Sequence, residues 1–142
     1  MPVIASRGKF EHFSGLVKFL DTPSKPEVHN ELVTANETAG ATYSLGTVLG
    51  KITASGKYTI SKQAAVDGSQ VPAAVYIGNS FGEVKDTVLA AATDTKVLTL
   101  ARGKAIIVLE ALKLDASFGT TPQKQFAYDS LKAIGLLVES SI

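Results

Sequence analysis

Gly78-Asn79-Ser80-Phe81-Gly82 has the G-x-S-x-G spacing of a nucleophile elbow, and it follows a stretch that reads as a strand. In such an elbow a tight strand-to-helix turn lifts the serine toward a histidine base, with the triad partners following in the order Ser, Asp or Glu, His. Both histidines of this chain, His12 and His29, precede Ser80, so that order is broken. Glycines framing a serine also describe an ordinary turn, and the turn is the better reading. Gly50 to Lys57 has the outline of a phosphate-binding loop. Five residues separate Gly50 from Gly56 where four are needed, and Tyr58 stands where a metal-binding Ser or Thr belongs. Its flanks read as strands, which leaves no helix N-terminus to receive a phosphate. A hairpin turn at Ser55-Gly56 fits better.

A metal site would need His12 and His29 with help from Glu11, Glu27 or Glu31. The two histidines lie 17 residues apart across a proline-containing break, so no helical or hairpin spacing aligns them. Glu83 and Asp86 would pair on a helix face, yet no nucleophile stands near them. Asn36-Glu37-Thr38 fits the glycosylation pattern without a secretory route to use it. Arg102 and Lys104 are two charges, too few for a nucleic-acid groove. The inventory points to no catalytic residue, no cofactor and no metal.

Composition bounds the elements that must position these residues. The chain has 142 residues, which suits one compact domain with a real core. With 14 Lys and Arg against 13 Asp and Glu, the net charge is +1, which argues against a nucleic-acid partner. There is no cysteine, so disulfides and thiolate sites are excluded. No apolar run approaches the roughly 20 residues of a membrane span, and the N-terminus lacks a signal-peptide core. The plain expectation is a soluble protein made and kept inside a cell, without a membrane partner.

Two regions follow. Residues 1–27 hold scattered apolar side chains and end with Pro23 and Pro26, which disfavour helix and give no N–H to a sheet. They read as an N-terminal arm or extension that gains order from a partner or from its own oligomer. The competing reading folds them onto the core as a first strand or helix, with Phe13 to Leu20 long enough for one or two helical turns. Val3, Ile4, Phe10 and Phe13 are the arm's candidate binding residues.

Residues 28–142 read as a single β-rich domain. Strand patterns cover Glu31 to Thr34, Gly46 to Ile52, Lys57 to Ser61 and Pro72 to Ile77, with turns at Asn36 to Gly40, Ser55-Gly56 and Asp67-Gly68. Period-two alternation puts Tyr58 and Ile60 on one face. Val97 to Leu100 and Ala105 to Val108, joined through Arg102-Gly103, give the strongest hairpin signal. One helix is expected, capped by Thr121, with Pro122 at its first position and Gly135 just past its end. Its apolar stripe is Phe126, Ala127, Leu131 and Ile134, and Leu136 to Val138 closes as a strand. Glu83 to Ala92 fits either helix or strand. Short strands with a turn every ten residues or so predict a mainly β small barrel or sandwich.

The run Gly46 to Tyr58, the Asp67-Gly68 turn, the Ala73 to Ile77 strand, the Arg102-Gly103 turn and the closing helix, glycine and strand occur in an order that resembles the lambda-type bacteriophage head decoration protein family. The resemblance covers about residues 28 to 142. It implies a β-tulip type of fold with one short C-terminal helix, and a homotrimer on the capsid exterior at three-fold and quasi-three-fold positions. The implied role is stabilisation of the expanded head without catalysis, after synthesis in the host bacterial cytoplasm. The implied partners are the major capsid protein and the chain's own copies. Two rival readings remain: a tail-tube or fibre domain, and a small ligand-binding β-barrel or hydrolase using Ser80.

Overall fold

The computed structural model describes residues 17–20, 29–102 and 105–140. Strand accounts for about 40% of the described residues and helix for about 15%, the mainly β balance expected. In chain order the strands are β1 (Val17–Leu20), β2 (His29–Ala35), β3 (Ala41–Tyr43), β4 (Val48–Lys51) and β5 (Tyr58–Ile60). They continue with β6 (Pro72–Asn79), β7 (Thr87–Leu89), β8 (Thr95–Arg102) and β9 (Ala105–Val108). A 3₁₀ turn (Leu109–Ala111), helix α1 (Thr121–Ala133) and β10 (Leu136–Glu139) complete the fold.

A closed barrel runs in the order β2-β5-β4-β6-β8. β8 pairs antiparallel with β2 on one side and β6 on the other, and β4 joins β6 to β5. The seam between β5 and β2 is a single parallel step at Ala35 and Tyr58, reinforced where Asn36 N–H donates to the Tyr58 carbonyl at 2.9 Å. The barrel therefore closes narrowly: on this side of β2 only Ala35 is paired with a strand, and the groove described below runs along the rest.

β6 divides two cores, because successive side chains of a strand point to opposite faces. Ala74 and Tyr76 join Val33, Ala35, Leu49, Tyr58 and Val97, a cluster drawn from all five barrel strands that therefore fills the barrel interior. β3 and β7 form a separate two-stranded ribbon that adds Tyr43 and Leu89 to it. Val75 and Ile77 face the other way, where Val48, Leu100, Ile107, Leu131 and Leu136 form the second core. That core seats α1 and a sheet of order β1-β9-β10 against the barrel.

The hairpin expected between Val97 and Val108 does not form. β8 has both edges occupied, by β2 and β6, and β9 is instead the central strand of the second sheet. β8 and β9 thus belong to different sheets. Within Phe13 to Leu20, the last four residues form strand rather than helix and lie antiparallel on β9. Glu83 to Ala92 resolves as a loop followed by β7, so Glu83 and Asp86 share no helix face.

α1 is capped one residue earlier than expected. Thr120 is the N-cap: its hydroxyl accepts from Gln123 N–H, and the Gln123 side chain accepts from Thr120 N–H, a reciprocal capping box. Gly135 takes φ 95° just past the helix end, as expected of a left-handed cap. Ala127 and Leu131 are buried and Ile134 packs beside them, whereas Phe126 is 47% exposed. The buried stripe is narrower than the sequence pattern implied.

Candidate functional site

The G-x-S-x-G segment lies in the turn that ends β6. Asn79 organises this turn: its Oδ1 accepts from Phe81 N–H at 2.9 Å and Glu83 N–H at 3.0 Å, and its Nδ2 donates to Glu83 Oε1 at 2.9 Å. The backbone closes on itself, with Asn79 N–H donating to the Glu83 carbonyl and Gly82 N–H to the Asn79 carbonyl, both at 3.0 Å. Gly82 supplies a φ of 79°, and a Cβ on Gly78 would lie 2.7 Å from the Glu83 carbonyl oxygen. No helix follows, so the strand-to-helix turn of an elbow is absent here. Ser80 is exposed, and the side chain the turn puts forward is Phe81, 86% exposed. Ser80→Ala is expected to leave stability within about 0.5 kcal/mol of the parent. Serine-reactive phosphonates should leave the protein unlabelled. Stoichiometric labelling at Ser80, read by mass spectrometry, would overturn this.

The phosphate-loop candidate is a hairpin, since Gly50 and Lys51 pair antiparallel with Thr59 and Tyr58. Beside it lies a shallow polar groove of about 350 Å³ lined by residues that include Glu31, Lys51, Ser55, Lys57 and Asp94. Lys57 Nζ sits 2.9 Å from Asp94 Oδ1, and Asn36 Nδ2 donates to the same oxygen at 2.7 Å. Hydrogen bonds from Asn36 and Lys57 hold the Asp94 carboxyl below its ordinary pKa. Two cations facing two carboxylates leave no net charge to attract an anion.

Of the metal candidates, His29 opens β2 and Glu31 lines this groove, while His12, Glu11 and Glu27 lie outside the described residues. Among the described residues no three His, Asp or Glu groups converge as a metal would need, and no helix is long and apolar enough to cross a membrane. Arg102 closes β8, and Lys104 lies outside the described residues. Val3, Ile4, Phe10 and Phe13 also lie outside them.

Two features escaped the sequence. Glu37, in the segment read as a polar breaker, is 6% exposed: its carboxylate accepts from the Tyr43 hydroxyl and, at 2.7 Å, from Ile60 N–H. Its carbonyl accepts from Gly40 and Ala92 N–H at 3.0 and 2.8 Å, so one residue ties the β2–β3 turn, β5 and the loop after β7 together. Burial, with Glu37 adding to it, pushes the Tyr43 phenol well above its ordinary pKa, so Tyr43 remains a neutral donor. The second feature is an open pocket of about 340 Å³ lined by Gln63, Gln70, Pro122, Gln123 and Phe126. An aromatic on a helical stripe gives a signal for burial; only the fold shows that Phe126 faces this pocket instead.

These observations define a class first: a β-barrel module whose described buried polar side-chain atoms are all partnered and whose aromatic side chains Phe81 and Phe126 are exposed. A family model described as bacteriophage lambda head decoration protein D matches residues 19–136, and the chain belongs to that family. It is a family of structural proteins of the phage head. Neither the curated proteins nor the solved structures give a match.

Proposed function

We propose that this chain is a homotrimeric decoration protein that sits on the outside of a phage capsid, at three-fold and quasi-three-fold positions, and stabilises the expanded head without catalysis. The observation that carries this reading is the family match over residues 19–136. The major capsid protein is the partner, and residues 1–27 are the arm that reaches it, with 28–142 as the body. Within that arm Val17–Leu20 already pairs with β9, so attachment falls to the apolar residues ahead of it: Val3, Ile4, Phe10 and Phe13. The protein is made in the host cytoplasm and works on the virion exterior.

The physics supports such a clamp. An extended segment that adds to a sheet edge gains affinity from main-chain hydrogen bonds, which needs no acid, base or metal. Three arms on one rigid body turn modest single-arm affinity into tight attachment through effective concentration. A net charge of +1 limits repulsion among many neighbouring copies.

Deleting residues 1–16 tests this and keeps β1 in place. The shortened protein is expected to fold and to trimerise by light scattering, while its binding to expanded capsids falls by about 100-fold or more. Undiminished binding would move attachment to the β body. A truncated chain that cannot fold would place the arm in the core.

A further inference from the structure

We propose that Phe81 is a knob that docks in the Phe126 pocket of a second copy of this chain, head to tail, so that these two features build the contact between subunits. The inference rests on the trimeric reading above and assigns its interface.

The knob is presented rather than merely left over. Asn79 braces the turn through both ends of its amide, the Gly78 and Gly82 positions permit its tight backbone, and the ring projects at 86% exposure. A backbone fixed before binding leaves only the side chain's own rotamers to be ordered on contact, and aromatics presented in this way are the usual anchors of protein interfaces. Phe81 is the most exposed aromatic among the described residues.

The pocket complements it. Its lining of Gln63, Gln70, Pro122, Gln123 and Phe126 holds no charged side chain, and Phe126 offers a ring for offset or edge-on stacking. The turn from Gly78 to Gly82 is uncharged as well, so bringing like copies together there opposes no like charges.

Position decides between self and neighbour. Gln70 lies just before β6 and Phe81 just after it, so knob and pocket sit at opposite ends of one strand. Eight strand residues hold the ends roughly 23 Å apart, beyond the reach of any side chain. One chain therefore cannot fill its own pocket. Copies set head to tail each give one knob and receive one, and a rotation that closes the ring leaves no pocket empty. A trimer is such a ring.

The chain has no cysteine, which makes a cross-linking test direct. The double variant Phe81→Cys/Gln123→Cys is expected to oxidise to covalent dimers and trimers on non-reducing gels, while either single variant stays uncross-linked. Independently, Phe81→Asp and Phe126→Asp should raise the concentration for half-dissociation of the trimer at least about tenfold, with the β circular-dichroism spectrum unchanged. No cross-link in the double variant, or Asp variants that associate like the parent, would overturn the inference. Loss of capsid binding by a still-trimeric Phe81→Asp would also overturn it, by placing the knob against the capsid. A parent protein that is monomeric at micromolar concentration would remove the trimeric reading itself, a different failure.

Discussion

Gly50→Ala is expected to destabilise the protein by about 2–6 kcal/mol, although it adds only one methyl group. A Cβ at Gly50 would lie 2.0 Å from the carbonyl oxygen of Ser69, closer than any real Cβ contact, and the obstacle is backbone rather than a flexible side chain. Relief requires Ser69 to retreat. Its carbonyl accepts from the buried Ser61 hydroxyl at 2.7 Å, and Ser69 itself is 2% exposed, so the retreat strips a hydrogen bond from groups that water does not reach. Overpacking and an unpaired buried hydroxyl then act together. The constraint is space, not conformation: Gly50 sits where the β4–β6 register slips between Leu49 and Gly50, opposite Pro72, which has no N–H to offer. Urea denaturation should show a lower midpoint with little change in slope. A variant that melts with the parent would mean that β4 and the Ser69 segment are not this close.

That glycine shows how far the sequence could be read. Its framing of a short apolar strand located β4, and the Ser55-Gly56 turn located the β4–β5 hairpin, because both are local properties of the chain. The close approach to Ser69 is not local and left no mark. The same distinction explains the hairpin that failed. Arg102-Gly103 gives a sound turn signal between two good strands, but whether they pair depends on which edges are already taken. β2 and β6 take both edges of β8. Glu37 is a third instance: a carboxylate beside Asn and Thr reads as solvated until the fold brings Tyr43 and Ile60 N–H to it.

For the candidate site the balance was similar. The order of the serine and histidines argued for a turn and against an elbow, and the structure shows a turn built around Asn79. The residue beside Ser80 went unread, because the pattern directed attention to the nucleophile. Phe81 was nevertheless visible as a large apolar side chain within a glycine-bounded turn, a combination that a core has no use for.

Leu131→Ala is expected to cost about 2–5 kcal/mol, the range for a leucine truncated in a core that closes only partly around the cavity. Leu131 is fully buried, in the cluster with Val48, Val75, Ile77, Leu100, Ile107 and Leu136. Those partners come from the barrel, from β9 and from β10, so the cavity would open where three parts of the fold meet. α1 reaches this core by one narrow stripe, with Ala127 as its other fully buried position. Little else on the helix can compensate. Phe126, five residues earlier and half exposed, provides the contrast: truncating it should cost subunit folding about 1 kcal/mol at most. Assembly stabilises the folded state by mass action, so both variants must be compared with the parent at one protein concentration. Low concentration, where the parent itself dissociates, isolates the subunit. There Leu131→Ala should melt well below the parent and Phe126→Ala beside it. If Leu131→Ala melted with the parent, α1 would not be seated on the barrel as the structure has it, and the pocket that Phe126 lines would lose its fixed wall.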